Sequence, residues 1–386
     1  MKPPGAFDAD RSTAVAAAVA FGTIGVLSFI VQPALVQGYV TELGVAESAA
    51  VDLVGAEMLG VALSTIAIAL IGNRLDWRWM TAAALLAAMI GNLFSAWMVG
   101  QHGFAAARFL SGVGHGAIIS LSFTFVGLTS KVDRNLAIYL VALLSYGALG
   151  LWLMPAALDA VGLNGLFMGW AAACAIAIGM IPFIPRSAAA GTIASPSARQ
   201  LPNGLLVFAL AGVLAFNVAQ GIAWAILFLI GVGAGLAEQG VANALFVSQI
   251  FAIAGALGAL LLAHRVGRWV PVLLGTILGA GCIAILMGTP TAALFLLGVS
   301  GFNLLWNFAL PFILGAVADF DLDGRMMSPA IAMQMIGLGA GPLIAARLIA
   351  DGSFRSAEIT SICAFILSYA LLTIPMLAHR ELVAGS

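Results

Sequence analysis

The chain has 386 residues, of which 62% are hydrophobic and only 8% charged, with a net charge of −1 and a mean hydropathy of +1.11. This composition excludes a water-soluble domain, whose surface needs about 25% charged residues, and a nucleic-acid binder, since no basic block is present to meet a phosphate backbone. Cys174, Cys282 and Cys363 each stand alone in an apolar stretch, which reads as packing and offers neither a disulfide nor a metal site.

The polar start, MKPPGAFDADR, is followed by a run without a cleavage site, so a retained first membrane helix is expected rather than a signal peptide. Apolar stretches of membrane-crossing length, roughly 20 residues, then recur along the chain. Six fall near 14–36, 50–71, 79–99, 104–129, 135–157 and 163–184, here numbered spans 1 to 6. Spans 7 to 12 fall near 205–231, 240–263, 269–288, 291–316, 327–349 and 357–378. Between the sets, PRSAAAGTIASPSARQLPNG (185–204) has the Pro, Ser and Gly content of a flexible linker. The expected fold class is all-α and integral to the membrane: a six-span bundle at 1–184, a cytoplasmic linker at 185–204 and a second bundle at 205–386.

Basic residues give the orientation. Lys2, Arg11, Arg74, Arg78, Lys131, Arg134, Arg186, Arg199, Arg265, Arg268, Arg325 and Arg380 all fall on one set of alternate connections; the opposite set holds only Arg355, and Arg108 and Arg347 lie inside spans. Both termini and the linker are therefore expected on the cytoplasmic side of a bacterial-type inner membrane. The low lysine beside abundant Ala, Gly and Arg fits a GC-rich bacterial gene.

The halves echo each other. AFGTIGVLSFIV in span 1 and VFALAGVLAFNV in span 7 share six identities, Phe21 matching Phe208 at an offset of 187 residues, and RLDWRW after span 2 is echoed by LAHRVGRW after span 8 at nearly the same offset. Repeated halves place a substrate site near the bilayer midplane between them.

Three motifs carry a family resemblance. GNRLDWRWM holds Gly72, Asp76 and Arg78, departing from the family pattern at Trp77 and Trp79. HRVGR (264–268) is its second copy, with His264 where an acid is usual, and RFLSGVGHG (108–116) sets an arginine before glycines at alternate positions. With six plus six spans and a central linker, the chain resembles the major facilitator superfamily of secondary transporters over essentially its whole length. The resemblance implies that Asp76, Arg78, Arg265 and Arg268 gate the halves on the cytoplasmic side; positive-inside anchoring with no gating role is the other reading of the same residues. It also implies a cavity lined by spans 1, 4, 7 and 10. The glycine–proline signature of the family's antiporters is not clearly matched by LLSYGALGLWLMP (143–155), which leaves uptake by symport ahead of drug efflux by antiport.

Within span 4, Gly112, Gly114 and Gly116 permit close helix approach, but Arg108 needs a different explanation, because a charge at membrane depth faces a partner or a cavity. At 1.5 Å per residue Arg108 lies about 7 Å below the start of its span and Glu57 about 10 Å below the start of span 2. A buried Glu57–Arg108 pair is therefore expected in the first half. Burial penalises the carboxylate charge and the arginine favours it, so separating the two would let Glu57 take up and release H⁺. A static structural pair, or an arginine that snorkels outward, is the competing reading. His115, two turns from Arg108 on the same face, reads either as a substrate or proton ligand or as a hydrogen-bonded packing residue.

Further polar residues mark a lining. Asn217, Gln220 and Trp224 form a stripe on span 7, and Asn303, Trp306 and Asn307 one on span 10. Gln32, Tyr146, Gln249 and Gln334 add single groups. An aromatic cavity with a few amides suits a small organic solute carrying a ring; amide hydrogen bonds that merely glue the bundle are the alternative. Pro342 in GLGAGP (337–342) is positioned to kink span 11, and Arg347 is expected to pair with Asp351, four residues on.

An enzyme is disfavoured. GVSG (298–301) has no histidine placed to act as a base, and no HExxH or metal-binding carboxylate pair occurs. A sensor is disfavoured because no soluble domain is appended. The expectation is a monomeric carrier without cofactors, with H⁺ as coupling ion, moving an organic and possibly aromatic acid drawn by Arg108.

Overall fold

Runs of Ala, Leu, Ile and Val with few charges form helices wherever Gly and Pro do not interrupt them, and lipid adds a second constraint: each backbone N–H and C=O must be satisfied within its own segment. The computed structural model describes residues 8–71, 75–187, 203–262, 265–320, 326–349 and 352–384, and among these it is helical with no strand. Span 1 consists of two helical segments, Ser12–Gly25 and Gln32–Leu43. Spans 2 to 4 are Glu47–Ile71, Trp77–Trp97 and Phe104–Gly127, and spans 5 and 6 occupy Val132–Ile178. Spans 7 and 8 are Asn203–Gly233 and Glu238–Leu262, and span 9 is Trp269–Leu286 with a π turn at Leu274–Leu278. Spans 10 to 12 are Ala292–Asp319, Met327–Leu348 and Arg355–Ala384. The all-α, twelve-span architecture is the expected one.

Two departures have local causes. Span 1 was expected to be continuous over 14–36, but it breaks between Gly25 and Gln32 and resumes to Leu43. Pro33 sits in the first turn of the second segment, where its missing N–H is harmless; inside a continuous helix it would delete a hydrogen bond and clash with the turn before it. Spans 5 and 6 were expected to be separated by a loop, but helix continues to either side of Gly162, whose φ of 62° and ψ of −179° interrupt it. A side chain there would be strained, so the glycine itself makes the joint. Pro342, by contrast, lies inside the helix Met327–Leu348.

The distribution of polarity is that of a multi-pass membrane protein. Among the described residues ten helices are long and apolar enough to cross a bilayer, with spans 5 and 6 forming one of these runs and the first segment of span 1 falling short. Large apolar side chains such as Leu63, Ile176, Leu261 and Leu297 are exposed, whereas Asn92, Arg108, His115 and Asn217 are fully buried. In water such an exterior would aggregate; against lipid it is the favourable face.

The chain divides into two compact units. The first comprises residues 8–30, 56–147 and 157–187. In it the glycines of span 4 act as the sequence suggests: a Cβ on Gly112 would strike the Glu57 carbonyl of span 2, one on Gly114 the backbone of Ala88 in span 3, and one on Gly116 the Val61 carbonyl. Gly91 of span 3 meets the Ser111 backbone in the same way. Span 4 is therefore clamped between spans 2 and 3 at backbone contact distance.

The second unit comprises residues 31–55, 148–156 and the described residues from 203 onward. Here Gly221 of span 7 packs against Gly337 and Gly341 of span 11, and a Cβ on Gly255 would strike the Leu304 carbonyl. Arg347 Nη1 donates to both carboxylate oxygens of Asp52 at 2.6 Å; Asp351, the helical partner expected for it, lies outside the described residues. A charge-assisted contact of this kind, one guanidinium nitrogen on both oxygens of a carboxylate, is short and strong. Gln37 Nε2 donates to Glu238 Oε1 at 2.8 Å within the same unit. Lys2, Gly72, Arg74, Arg199, His264, Arg325, Asp351 and most of the 185–204 linker lie outside the described residues.

Gly112→Ala drives a methyl group into the backbone of span 2, an overpacking penalty of about 1–3 kcal/mol. It is expected to lower the thermal unfolding temperature of the detergent-purified protein, read by fluorescence-detected size exclusion. Gly127→Ala, at the open end of the same span with nothing within 4 Å of the added carbon, is expected to leave it unchanged.

Candidate functional site

A charge held in an apolar bundle must find its counter-charge and hydrogen-bond partners within side-chain reach. In the first unit Arg108 and Glu57 meet this demand directly: Arg108 Nη2 is hydrogen-bonded to Glu57 Oε1, with side-chain exposures of 0% and 1%. The pair expected from matched depth is present. Span 3 completes the arginine, because Arg108 Nη1 donates to Asn92 Oδ1 at 3.0 Å and to Ser95 Oγ at 3.3 Å. Span 6 covers it, with the guanidinium carbon 4.6 Å from the centroid of Phe167 and 5.8 Å from that of Trp170. Such stacking on a desolvated cation is worth about 2 kcal/mol.

The carboxylate has its own ring of donors. Ser28 Oγ, in the break of span 1, donates to Glu57 Oε1 at 2.6 Å, and His115 Nδ1 lies 3.5 Å from the same oxygen. Ser28 Oγ and His115 Nδ1 are 3.3 Å apart. A serine has one proton, and Ser28 commits it to Glu57, so towards His115 it can only accept. The network thus assigns the hydrogen to Nδ1. His115 Nε2 is buried without a hydrogen-bond partner among the described residues. The break that supplies Ser28 is itself held from span 5, where the Tyr146 hydroxyl donates to the Leu27 carbonyl at 2.6 Å. Outside a regular helix that carbonyl needs a donor.

The sequence-derived lining residues fall into two groups. Of those expected to bind substrate, His115 and Tyr146 lie in the first unit, one beside Glu57 and the other clasping the break. The rest lie in the second unit. Trp224 of span 7 and Trp306 of span 10 meet edge to face, 6.0 Å between centroids at 71°, and Phe302 abuts Trp306 at 5.8 Å. Asn303 Nδ2 donates to Ser248 Oγ at 2.8 Å, Asn307 Nδ2 to the Asn303 carbonyl at 3.0 Å and Asn217 Nδ2 to the Val213 carbonyl at 2.8 Å. Gln32 Nε2, Asn217 Oδ1, Gln220 Oε1 and Gln249 Oε1 are buried with no partner among the described residues. Gln334 is half-buried.

Each expected gating residue with a recorded contact makes it inside its own unit. Asp76 Oδ1 caps span 3 by accepting from the Arg78 backbone N–H at 2.8 Å. Arg78 in turn donates to the Ile184 and Pro182 carbonyls at 2.9 and 2.8 Å. Arg268 Nε pairs with Asp319 Oδ2 at 3.0 Å, and Arg265 is exposed. Among the described residues no group of three or more His, Cys, Asp or Glu side chains is placed to hold a metal ion.

Sequence reasoning missed Ser28, Asn92, Ser95, Phe167, Trp170 and Ser248. Asn92 and Ser95, three residues apart in an apolar span, carried a signal of the same kind as Arg108. Ser28 carried none, since its role depends on a break that hydropathy does not show.

No protein-family model matches the sequence, and no curated protein matches it. Solved structures do. A D-xylose–proton symporter superimposes with a TM-score of 0.73 at 14% identity, over 93% of this chain and 96% of that one. The nucleoside transporter NupG gives 0.70 at 12%, over 94% and 99%, and the E. coli fucose:proton symporter FucP 0.62 at 15%, over 94% and 98%. This chain has the major facilitator superfamily fold.

Arg108→Ala strands Glu57 as a buried, uncompensated charge, at about 3–5 kcal/mol, and is expected to be strongly destabilised in a thermal unfolding assay. Arg108→Ala combined with Glu57→Gln is expected to recover part of that loss. Arg108→Lys is expected not to restore wild-type stability, since one ammonium cannot hold Glu57, Asn92 and Ser95 together while stacking on Phe167.

Proposed function

We propose that this protein is a secondary active transporter that moves a small organic solute by alternating access, in symport with H⁺. The observation that carries the proposal is the fully enclosed Glu57–Arg108 pair with its satellites Ser28 and His115. A structural cross-link needs no titratable neighbour and no serine from a broken helix. A proton site needs both, because donors converging on one carboxylate oxygen suit the ionised acid and must be released when a proton arrives. The resemblance to proton symporters supports the same reading. In it, His115 serves the acid rather than the solute, and Tyr146 and Ser28 fix the geometry of the break.

The cargo reading shifts from the organic acid suggested by Arg108 to a neutral, hydroxyl-bearing solute with an apolar or ring face. Arg108 is enclosed and committed to Glu57, Asn92 and Ser95, which disfavours a second carboxylate. The unpartnered Asn217, Gln220 and Gln249 oxygens are acceptors and the unpartnered Gln32 nitrogen is a donor; a hydroxyl, which both donates and accepts, suits this mostly accepting set better than a carboxylate, which only accepts. The Trp224–Trp306 pair supplies the apolar surface. The solved structures of this fold are named for xylose, fucose and nucleosides, which are solutes of this kind. The charge bias places the termini in the cytoplasm of a bacterial inner membrane. We assign a two-bundle division at the linker, cytoplasmic gating by Asp76, Arg78, Arg265 and Arg268, a monomer, and H⁺ as the coupling ion.

Proteoliposomes offered labelled xylose, uridine, fucose or benzoate under an imposed pH gradient test this. Wild-type protein is expected to accumulate one of the neutral solutes. Glu57→Gln is expected to retain counterflow of that solute while losing gradient-driven accumulation. Accumulation by Glu57→Gln at the wild-type level would remove Glu57 from the coupling role, and transport of benzoate alone would overturn the neutral cargo.

A further inference from the structure

The second unit contains an ionisable group that none of the foregoing uses. Glu358, in the first turn of span 12, is only 3% exposed. Its backbone N–H donates to the Phe354 carbonyl at 2.9 Å, but its carboxylate makes no hydrogen bond or ion pair among the described residues. A carboxylate in the first turn is commonly explained as a helix cap, yet no backbone N–H is recorded donating to this one. Arg355, three residues earlier, is exposed and does not close a salt bridge with it. A buried carboxylate with no donor is unfavourable by several kcal/mol unless something supplies the missing charge or proton.

Glu358 lines a cavity of about 520 Å³ formed by the ends of spans 7, 9 and 12 and the turns after spans 9 and 11. Its lining includes the apolar side chains of Ile230, Met287 and Phe354 and the hydroxyls of Thr289 and Ser353. The two turns are held open by Gly288 and Gly352, at φ values of 84° and 73°. A second carboxylate, that of Glu47, stands close by, with Oε2 3.8 Å from where a Cβ on Gly352 would lie. Glu358 and Arg355 are the charged residues of its lining, and Glu47 adds a second carboxylate beside Gly352.

We propose that this cavity is a binding site for the ammonium group of a small aliphatic amine or amino acid, with the ammonium against Glu358 and the hydrocarbon against Ile230, Met287 and Phe354. The ammonium supplies the hydrogen bonds and the charge that Glu358 lacks. Arg355 at the rim is placed to receive the carboxylate of an amino acid. The site is separate from Glu57 and does not depend on the transport reading. By the charge bias it opens on the side away from the cytoplasm.

The test uses the full chain in nanodiscs, with both faces accessible, and three probes of one shape: L-leucine, 3-methylbutylamine, which lacks the carboxylate, and 4-methylpentanoate, which lacks the ammonium. Saturable binding of the amine, measured by isothermal titration, and none of the acid is expected. Glu358→Gln, which keeps size and removes charge, is expected to weaken amine binding roughly tenfold or more, the weight of a charge-assisted hydrogen bond. Gly127→Ala, in open space in the first unit, is expected to leave it unchanged. Leucine tighter than the amine, with the difference lost in Arg355→Gln, would identify amino acids as the ligands; the reverse order would identify free amines. Equal binding of the acid and the amine, no saturable binding of either ammonium probe, or wild-type affinity in Glu358→Gln would overturn the proposal.

Discussion

The contact between Arg108 and Glu57 organises the first unit. Neither group can be left unpaired where water is excluded, and a bare pair does not repay its own desolvation. Everything around it follows from that deficit. Asn92 and Ser95 of span 3 both accept from Arg108 Nη1, Phe167 and Trp170 of span 6 cover the guanidinium plane, and Ser28 of span 1 donates to the carboxylate. Five spans are thereby tied to one charge pair. The glycines of span 4 serve the same end, because the short side-chain reach of glutamate requires spans 2 and 4 to approach until Gly112 touches the carbonyl of Glu57 itself.

The broken first span gains its meaning from this pair. A continuous helix would bury every backbone polar group in its own ladder and leave Ser28 fixed by helical geometry. Interrupting it before Pro33 frees the Leu27 carbonyl, which Tyr146 satisfies, and lets Ser28 reach the acid. Irregular backbone at membrane depth is tolerated only where protein or a wet cavity satisfies it. Here both freed groups are answered by residues of the same unit, and one of those answers lands on Glu57.

The second unit handles polarity differently. Its buried amides are partly satisfied by their own helices, as at Asn217 and Asn307, and partly across spans, as at Asn303 and Ser248. What remains among the described residues is a set of unused amide atoms, and a carboxylate at Glu358 without a hydrogen bond. Native proteins leave few such groups unsatisfied. Among the described residues they fall mostly in the second unit, whereas in the first unit His115 Nε2 and Ser111 Oγ also lack a hydrogen-bond partner.

Hydropathy alone placed the twelve spans, because lipid forces each to be long and apolar whatever its neighbours are. Depth alone matched Glu57 to Arg108, because an unpaired charge is intolerable there and position along a helix is a one-dimensional quantity readable from residue number. The glycine stripe of span 4 announced close packing for the same reason. Where spans 5 and 6 join, and that span 1 breaks, turned on single residues, Gly162 and the region before Pro33, whose effect on the chain path hydropathy averages away. The pairing of Arg347 with Asp52, the donation from Ser28, the span 3 and span 6 cradle of the guanidinium and the cavity beside Glu358 were decided by tertiary structure alone. Each depends on how a helix is rotated about its own axis relative to its neighbours. That angle is fixed by side-chain packing between segments far apart in sequence, and no single span carries it.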